Sequence, residues 1–156
     1  MIILGIDPGT TRAGYGVIQK KDGDFHYCAS GIFSVPSGPH SSQLLSLHRE
    51  AKRLIARTHP ERAGIEELYF FKNQKTAAKV LEARGVLLFT LTEAGVPTFE
   101  LTPLQVKLGV AGNGTASKKA VASMVFRFLR LRPRSVPDDV TDALAIAIAV
   151  SGAQLR

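Results

Sequence analysis

The 156-residue chain has a single cysteine, Cys28, which excludes an internal disulfide and a thiolate metal cluster. Cys28 reads as a small, half-buried hydrophobe, and such sparse thiol usage suits a reducing, cytoplasmic location. No apolar run approaches the ~20 residues needed to span a bilayer. The apolar-rich stretch Ala143–Val150 is too short, and Met1–Ile6 runs straight into Asp7 with no basic leader region or cleavage site. Histidine and cysteine nowhere cluster at zinc-ligand spacing. Internal repeats and low-complexity segments are also absent, so residues 1–156 read as a single domain long enough to bury one core.

Acidic residues are missing where basic ones concentrate. From Leu101 to Pro137 every charged residue is basic: Lys107, Lys118, Lys119, Arg127, Arg130, Arg132 and Arg134. The formal net charge of +7 resides entirely in this segment, because the rest of the chain balances thirteen residues of each sign. Such a concentration suits a phosphate-backbone footprint, where neutralised phosphates release counterions. Charge alone equally describes a solvated helix face.

Ile2–Ile6 is a short continuous apolar run, as in a buried strand. Gly14–Gln19 and Phe25–Val35 read as two further strands, with Gly23 between them, giving an antiparallel meander. After a Pro36–His40 linker, Ser41 or Ser42 is the expected cap of a helix with Leu44, Leu47, His48, Ala51, Leu54 and Ile55 at a 3.6 period. Arg62–Leu68 is a fourth strand. Asn73 is the expected cap of a long helix through Ala77, Val80, Leu81, Leu88 and Leu91, interrupted by Gly85 and closed by Gly95. Pro97–Leu101 is a fifth strand, and Thr102-Pro103 opens a short helix. Ser117–Leu131 is an amphipathic helix with Val121, Val125, Phe128 and Leu129 inward. Asp138 is the expected cap of a final helix reaching about Ala153. The pattern predicts an α/β fold: a five-stranded mixed sheet, its first three strands antiparallel, with helices on both faces.

The acids carry the chemical signal. Asp7 ends an apolar strand, where open sheets bind ligands, although Asp before Pro8-Gly9 is also common turn chemistry. Glu66 and Glu67 end the fourth strand, and neighbours on a strand face opposite sides, so only one can share a face with Asp7. Asp139 and Asp142 are three apart and share a helical face. Asp138, beside them, is accounted for by capping, whereas Asp142 sits against a nearly all-apolar helix and needs a partner, a proton or a metal. At ~4 Å and an effective dielectric of ~20, each like-charged pair repels by roughly 4 kcal/mol. No basic residue lies within three positions of Asp7, Asp139 or Asp142. Two divalent ions would offset four carboxylates, and such oxygen ligation suits Mg²⁺, with Mn²⁺ able to substitute. Paired ions of this kind hydrolyse phosphodiesters.

Taken together, Ile3–Thr10 with Gly14–Ile18, Ile65-Glu66-Glu67, Lys72-Asn73, Ala83–Val86, Gln105-Val106-Lys107 and Asp142–Ala147 resemble the RuvC family of Holliday-junction resolvases, in the ribonuclease-H-like superfamily. The likeness extends to about Val150. It implies a ribonuclease-H-like sheet and a structure-selective endonuclease acting in DNA recombination and repair. It also implies Asp7, Glu66, Asp139 and Asp142 as metal ligands, preferring Glu66 to Glu67 and Asp139 to Asp138. Lys107 and Lys118 resemble family lysines near the active site, while Lys119 has basic charge alone. Tyr69 and Phe70, followed by Lys72, resemble a segment placed to meet DNA, where an exposed ring stacks on an unpaired base. The resemblance further implies a homodimer on four-way junction DNA, working with the RuvA–RuvB branch-migration proteins.

Three other readings compete. Gly5–Thr11 resembles the phosphate loop of actin-like ATPases, but those enclose a nucleotide between two such domains. A non-catalytic junction-binding module would need the basic segment but not four spaced acids. A nuclease for RNA–DNA hybrids would keep the same acids with a different substrate.

Overall fold

The computed structural model describes residues 1–9, 12–67, 74–132 and 136–153. Five strands form one sheet: β1 (Ile2–Asp7), β2 (Gly14–Lys21), β3 (Asp24–Ile32), β4 (Arg62–Glu66) and β5 (Thr98–Leu101). Their spatial order is β3-β2-β1-β4-β5. The β1–β2 and β2–β3 pairs are antiparallel, and β1–β4 and β4–β5 are parallel. Asp22 and Gly23, both at positive φ, make the tight β2–β3 turn that a two-residue hairpin requires.

Helices cover both faces. α1 (His40–Thr58) and α2 (Gln74–Glu93) enclose one core with Leu4, Ile6, Val17, Ala63 and Ile65 from the sheet. α3 (Pro103–Ala111), α4 (Lys118–Phe128) and α5 (Asp138–Val150) enclose the other with Ile3 and Ile18. This split follows from strand alternation, which sends Ile3, Gly5 and Asp7 to the α5 face and Leu4 and Ile6 to the other. The expected mixed sheet, with its first three strands antiparallel, is the one observed.

The central contact is α5 on the sheet, and glycines permit it. A methyl built on Gly5 would collide with the Ala143 carbonyl oxygen, and one on Gly16 with the Leu144 backbone. Gly14 meets the Asp139 backbone in the same way, and Gly64 meets Ile146 and Val150. The alanine-rich α5 thus lies almost backbone to backbone on β1 and β2. Gly5→Ala should therefore destabilise the fold by roughly 3 kcal/mol, since rigid backbone cannot yield to overpacking as a side chain can. At ~2–4 °C per kcal/mol, a thermal melt should show a fall of roughly 6–12 °C. An unchanged melting temperature would contradict this tight seat.

Several local expectations are corrected. α1 begins at His40 after Pro39, with no side-chain cap, so Ser41 and Ser42 lie inside its first turn. α5 likewise follows Pro137, and Asp138 is its first helical residue rather than its cap. The extended backbone of each proline redirects the chain without a capping hydroxyl or carboxylate. α2 runs unbroken through Gly85, and Gly95 at positive φ terminates the turn beyond it. Cys28 is exposed: it is the extra residue of a bulge in the edge strand β3, unpaired between the Ile18–Tyr27 and Val17–Ala29 pairs. Asn73, the expected α2 cap, lies outside the described residues.

Candidate active site

The two strand-end acids arrive on one face by register. Asp7 follows Ile6, which pairs with Ile65, so Asp7 and Glu66 terminate adjacent parallel strands at the same level. Gly64 faces α5, and Glu66, two residues on, faces the same way. Glu67 lies beyond the end of β4 and is not among the acids whose charge bears on Asp7. Strand geometry thus sets on the Asp7 face the glutamate that the family resemblance prefers and that alternation alone left open.

α5 brings the other pair. Seated on Gly14 at Asp139, it aligns its first turn with the end of β1. Asp7, Glu66, Asp139 and Asp142 are half-buried, whereas Asp138 is exposed. Asp139 and Asp142 both raise the proton affinity of Asp7. Asp138 interacts instead with Lys118.

The carboxyl of Asp7 is pushed from an ordinary 3.8 up to about 7. Burial is the main cause, followed by the negative charges of Glu66, Asp142 and Asp139, with Lys118 opposing. Glu66 is raised by burial and then by Asp142, again with Lys118 opposing. Lys118 donates to Asp142 Oδ2 at 2.9 Å, a contact that holds the ammonium above its ordinary range.

Two caps place the lysines. Thr102 accepts from the Gln105 backbone at 3.1 Å, and the Gln105 side chain accepts from the Thr102 backbone N–H at 2.8 Å. This reciprocal box starts α3 and sets Lys107 two residues beyond Gln105. Ser117 caps α4 by accepting from Ala120 N–H at 3.2 Å, leaving Lys118 as the first helical residue. Glu66, Lys107, Lys118 and Asp142 line one cleft, with Val106, Val121, Ala145 and Ile146 as its apolar wall. Lys119 does not reach this cleft; it borders a separate groove on α4 with Ser123, Phe126 and Arg127. Tyr69, Phe70 and Lys72 lie outside the described residues.

Among the described residues, no three Asp, Glu, His or Cys side chains stand together as a ready-made cation cage. Asp142 is turned onto Lys118, which offsets part of the negative charge of the acids. The donor set nevertheless fits a hard divalent cation: carboxylates only, partly desolvated, with more negative charge than one lysine offsets.

This acid cluster on a mixed sheet can be compared with known proteins. The family model of crossover junction endodeoxyribonuclease RuvC matches residues 3–150. The chain belongs to the RuvC family. The RuvC of Roseiflexus sp. (strain RS-1) is 45% identical over 146 residues, covering 93% of this chain and 87% of that relative. The RuvC of Pelotomaculum thermopropionicum is 44% identical over 149 residues, covering 95% and 91%. Among solved structures, T. thermophilus RuvC in complex with Holliday junction substrate superimposes with a TM-score of 0.90 at 35% identity, covering 97% of this chain and 93% of that one. The yeast mitochondrial Holliday junction resolvase Ydc2 shares the fold, with a TM-score of 0.68 at 15% identity. The protein is thus a RuvC-family endonuclease with a ribonuclease-H-like sheet.

Two contributors were not legible as site residues. The glycines that seat α5 read only as members of their strands, and their role depends on which helix lands on them. Arg84 sits inside the matched stretch Ala83–Val86, yet only the fold reveals that it donates to the Glu66 backbone carbonyl.

Proposed function

We propose that this protein resolves four-way DNA junctions, nicking symmetrically related strands by hydrolysis at a site where Asp7, Glu66, Asp139 and Asp142 hold two Mg²⁺ ions, with Mn²⁺ able to substitute. The observation that carries the reading is the half-buried Asp7, pressed by three like charges on one face beside Lys107 and Lys118. Such ions, when bound, would supply an activated water and stabilise the leaving oxygen. The four carboxylates would hold them from two strand ends and one helix. Lys118, released from Asp142, faces the charge that develops on the phosphate, and Lys107 holds the flanking backbone in the same cleft. Lys119 and Arg127, exposed on α4, extend the basic surface to a neighbouring arm. Tyr69 and Phe70, close after Glu66 in sequence, supply rings for unpaired bases at the branch point, with Lys72 on an adjacent phosphate.

Two sites are needed to nick two strands, and α2 offers a surface for a second copy. Leu81, Gly85 and Phe89 form an i, i+4, i+8 stripe; Leu81 and Phe89 are 51% and 61% exposed, and the space above Gly85 is open. An exposed apolar stripe centred on glycine allows close approach of a partner helix. Phe89→Asp should convert the dimer to a monomer in sedimentation and lower junction affinity at least ~10-fold. A variant that remains dimeric would place the interface elsewhere. Action in the cytoplasm with RuvA and RuvB completes the reading. No helix among the described residues is long and apolar enough to cross a membrane.

The metal requirement is tested by cleavage of a synthetic junction with chelator and with Glu66→Gln. Both should abolish nicking while gel-shift binding persists. Undiminished cutting by Glu66→Gln would remove this residue from the ligand set.

A further inference from the structure

Each strand-end acid sits on a backbone that needs its own anchor. The carbonyl of Asp7 accepts from Gly9 N–H at 3.0 Å, closing the turn behind it. Glu66 lies where β4 stops, and its carbonyl accepts from Arg84 Nε at 3.0 Å. The same guanidinium reaches through Nη2 to the carboxylate of Glu100, on the neighbouring strand β5. Arg84 is rooted on α2 between Ala83 and the fully buried Leu87, and its side chain is only 15% exposed.

From this geometry we infer that Arg84 is a positioning residue for Glu66, an inference that rests on reading Glu66 as a metal ligand. A guanidinium is a rigid planar fork, so its two contacts fix the end of β4 relative to β5 and to α2 at once. The part-buried bond to the Glu66 carbonyl is the firmer of the two, since Glu100 is 48% exposed and its ion pair holds chiefly by fixing the guanidinium plane. Releasing the Glu66 backbone would widen the positions its carboxylate samples. The cost would fall on metal affinity more than on the chemical step, as is usual for groups that orient a ligand. Lysine at this position keeps the charge but offers one point of contact, so it can satisfy Glu100 or the carbonyl but not both.

The test measures Mn²⁺ binding to the full protein without DNA, by calorimetry, and thermal melts in Mn²⁺ and in chelator. Arg84→Ala should weaken Mn²⁺ binding about 10-fold, within the range for ligand-orienting groups, with Arg84→Lys intermediate. The metal-induced rise in melting temperature should shrink in parallel. Junction cleavage should need more Mg²⁺ for half-maximal rate, with kcat at saturating Mg²⁺ changed less than ~3-fold. Should Arg84→Ala fail to fold, Glu100→Gln loosens the other end of the clamp and should weaken Mn²⁺ binding about 3-fold. An equal loss of melting temperature with and without Mn²⁺, at unchanged affinity, would reduce Arg84 to a structural role. Where Glu66→Gln abolishes Mn²⁺ binding and Arg84→Ala does not weaken it, only the positioning role falls. Where Glu66→Gln binds Mn²⁺ as the wild type does, the ligand assignment falls and takes this role with it.

Discussion

Asp7→Asn should abolish junction cleavage and, in chelator at pH 8, make the protein more stable rather than less. Loss of a ligand that anchors metal-assisted charge stabilisation worth several kcal/mol should lower the rate on the order of 10³-fold or more. The stability gain follows from the burial of Asp7 among Glu66, Asp142 and Asp139. A carboxyl raised from 3.8 to about 7 is protonated in the folded chain and ionised in the unfolded chain between those values. The contribution of Asp7 to stability is therefore highest below about pH 4, declines as pH rises toward 7, and stays low above it. At ~1.4 kcal/mol per pH unit the decline is roughly 4 kcal/mol, and an uncharged Asn avoids most of it. The melting temperature of Asp7→Asn in chelator should exceed that of the wild type clearly at pH 8 and only slightly at pH 5. In saturating Mg²⁺ the order should reverse, because metal binding stabilises only the wild type. Lower stability of Asp7→Asn in chelator at pH 8 would show that Asp7 is held by favourable contacts rather than strained by repulsion. The same proton competes with metal, so the wild type should need more Mg²⁺ below about pH 7.

Lys118→Ala carries the second large effect, and its signature is split. The ammonium lies on Asp142 at 2.9 Å, where it neutralises a carboxylate proposed to bind metal. The pair is well exposed on the lysine side, and exposed pairs contribute only ~0–1 kcal/mol, so a divalent ion displaces it at little cost. Removing the lysine should lower kcat ~10–100-fold by withdrawing a positive charge from the transition state. Half-maximal rate should nevertheless need less Mg²⁺, since Asp142 has lost its competitor. Junction affinity should change less than ~3-fold. Equal losses in kcat and affinity would make Lys118 an ordinary backbone contact. An increased Mg²⁺ requirement would contradict its competition for Asp142.

Much of this site was legible before the fold, for specific reasons. The sheet could be read because β1 is a continuous apolar run and β2 and β3 are separated by a glycine turn. Asp142 stood out because an acid against an all-apolar helix demands a partner, and the structure supplies Lys118 from 24 residues away. Glu66 and Glu67 were separated only by the family resemblance, because alternation alone needs the direction of β4 relative to α5, which Gly64 reveals. Asp138 was mistaken for a cap because a proline ahead of it already redirects the chain. Arg84 and the α5-seating glycines act through tertiary contacts between distant segments, which no local spacing encodes.

The most direct test of a metal-dependent, junction-selective nuclease is one cleavage assay on three substrates in Mg²⁺: a mobile four-way junction, a plain duplex of the same sequence and an RNA–DNA hybrid. The expected result is paired, symmetric nicks in the junction alone, abolished by chelator and by Asp7→Asn. Preferential cutting of the hybrid, or junction nicking retained by Asp7→Asn, would contradict it.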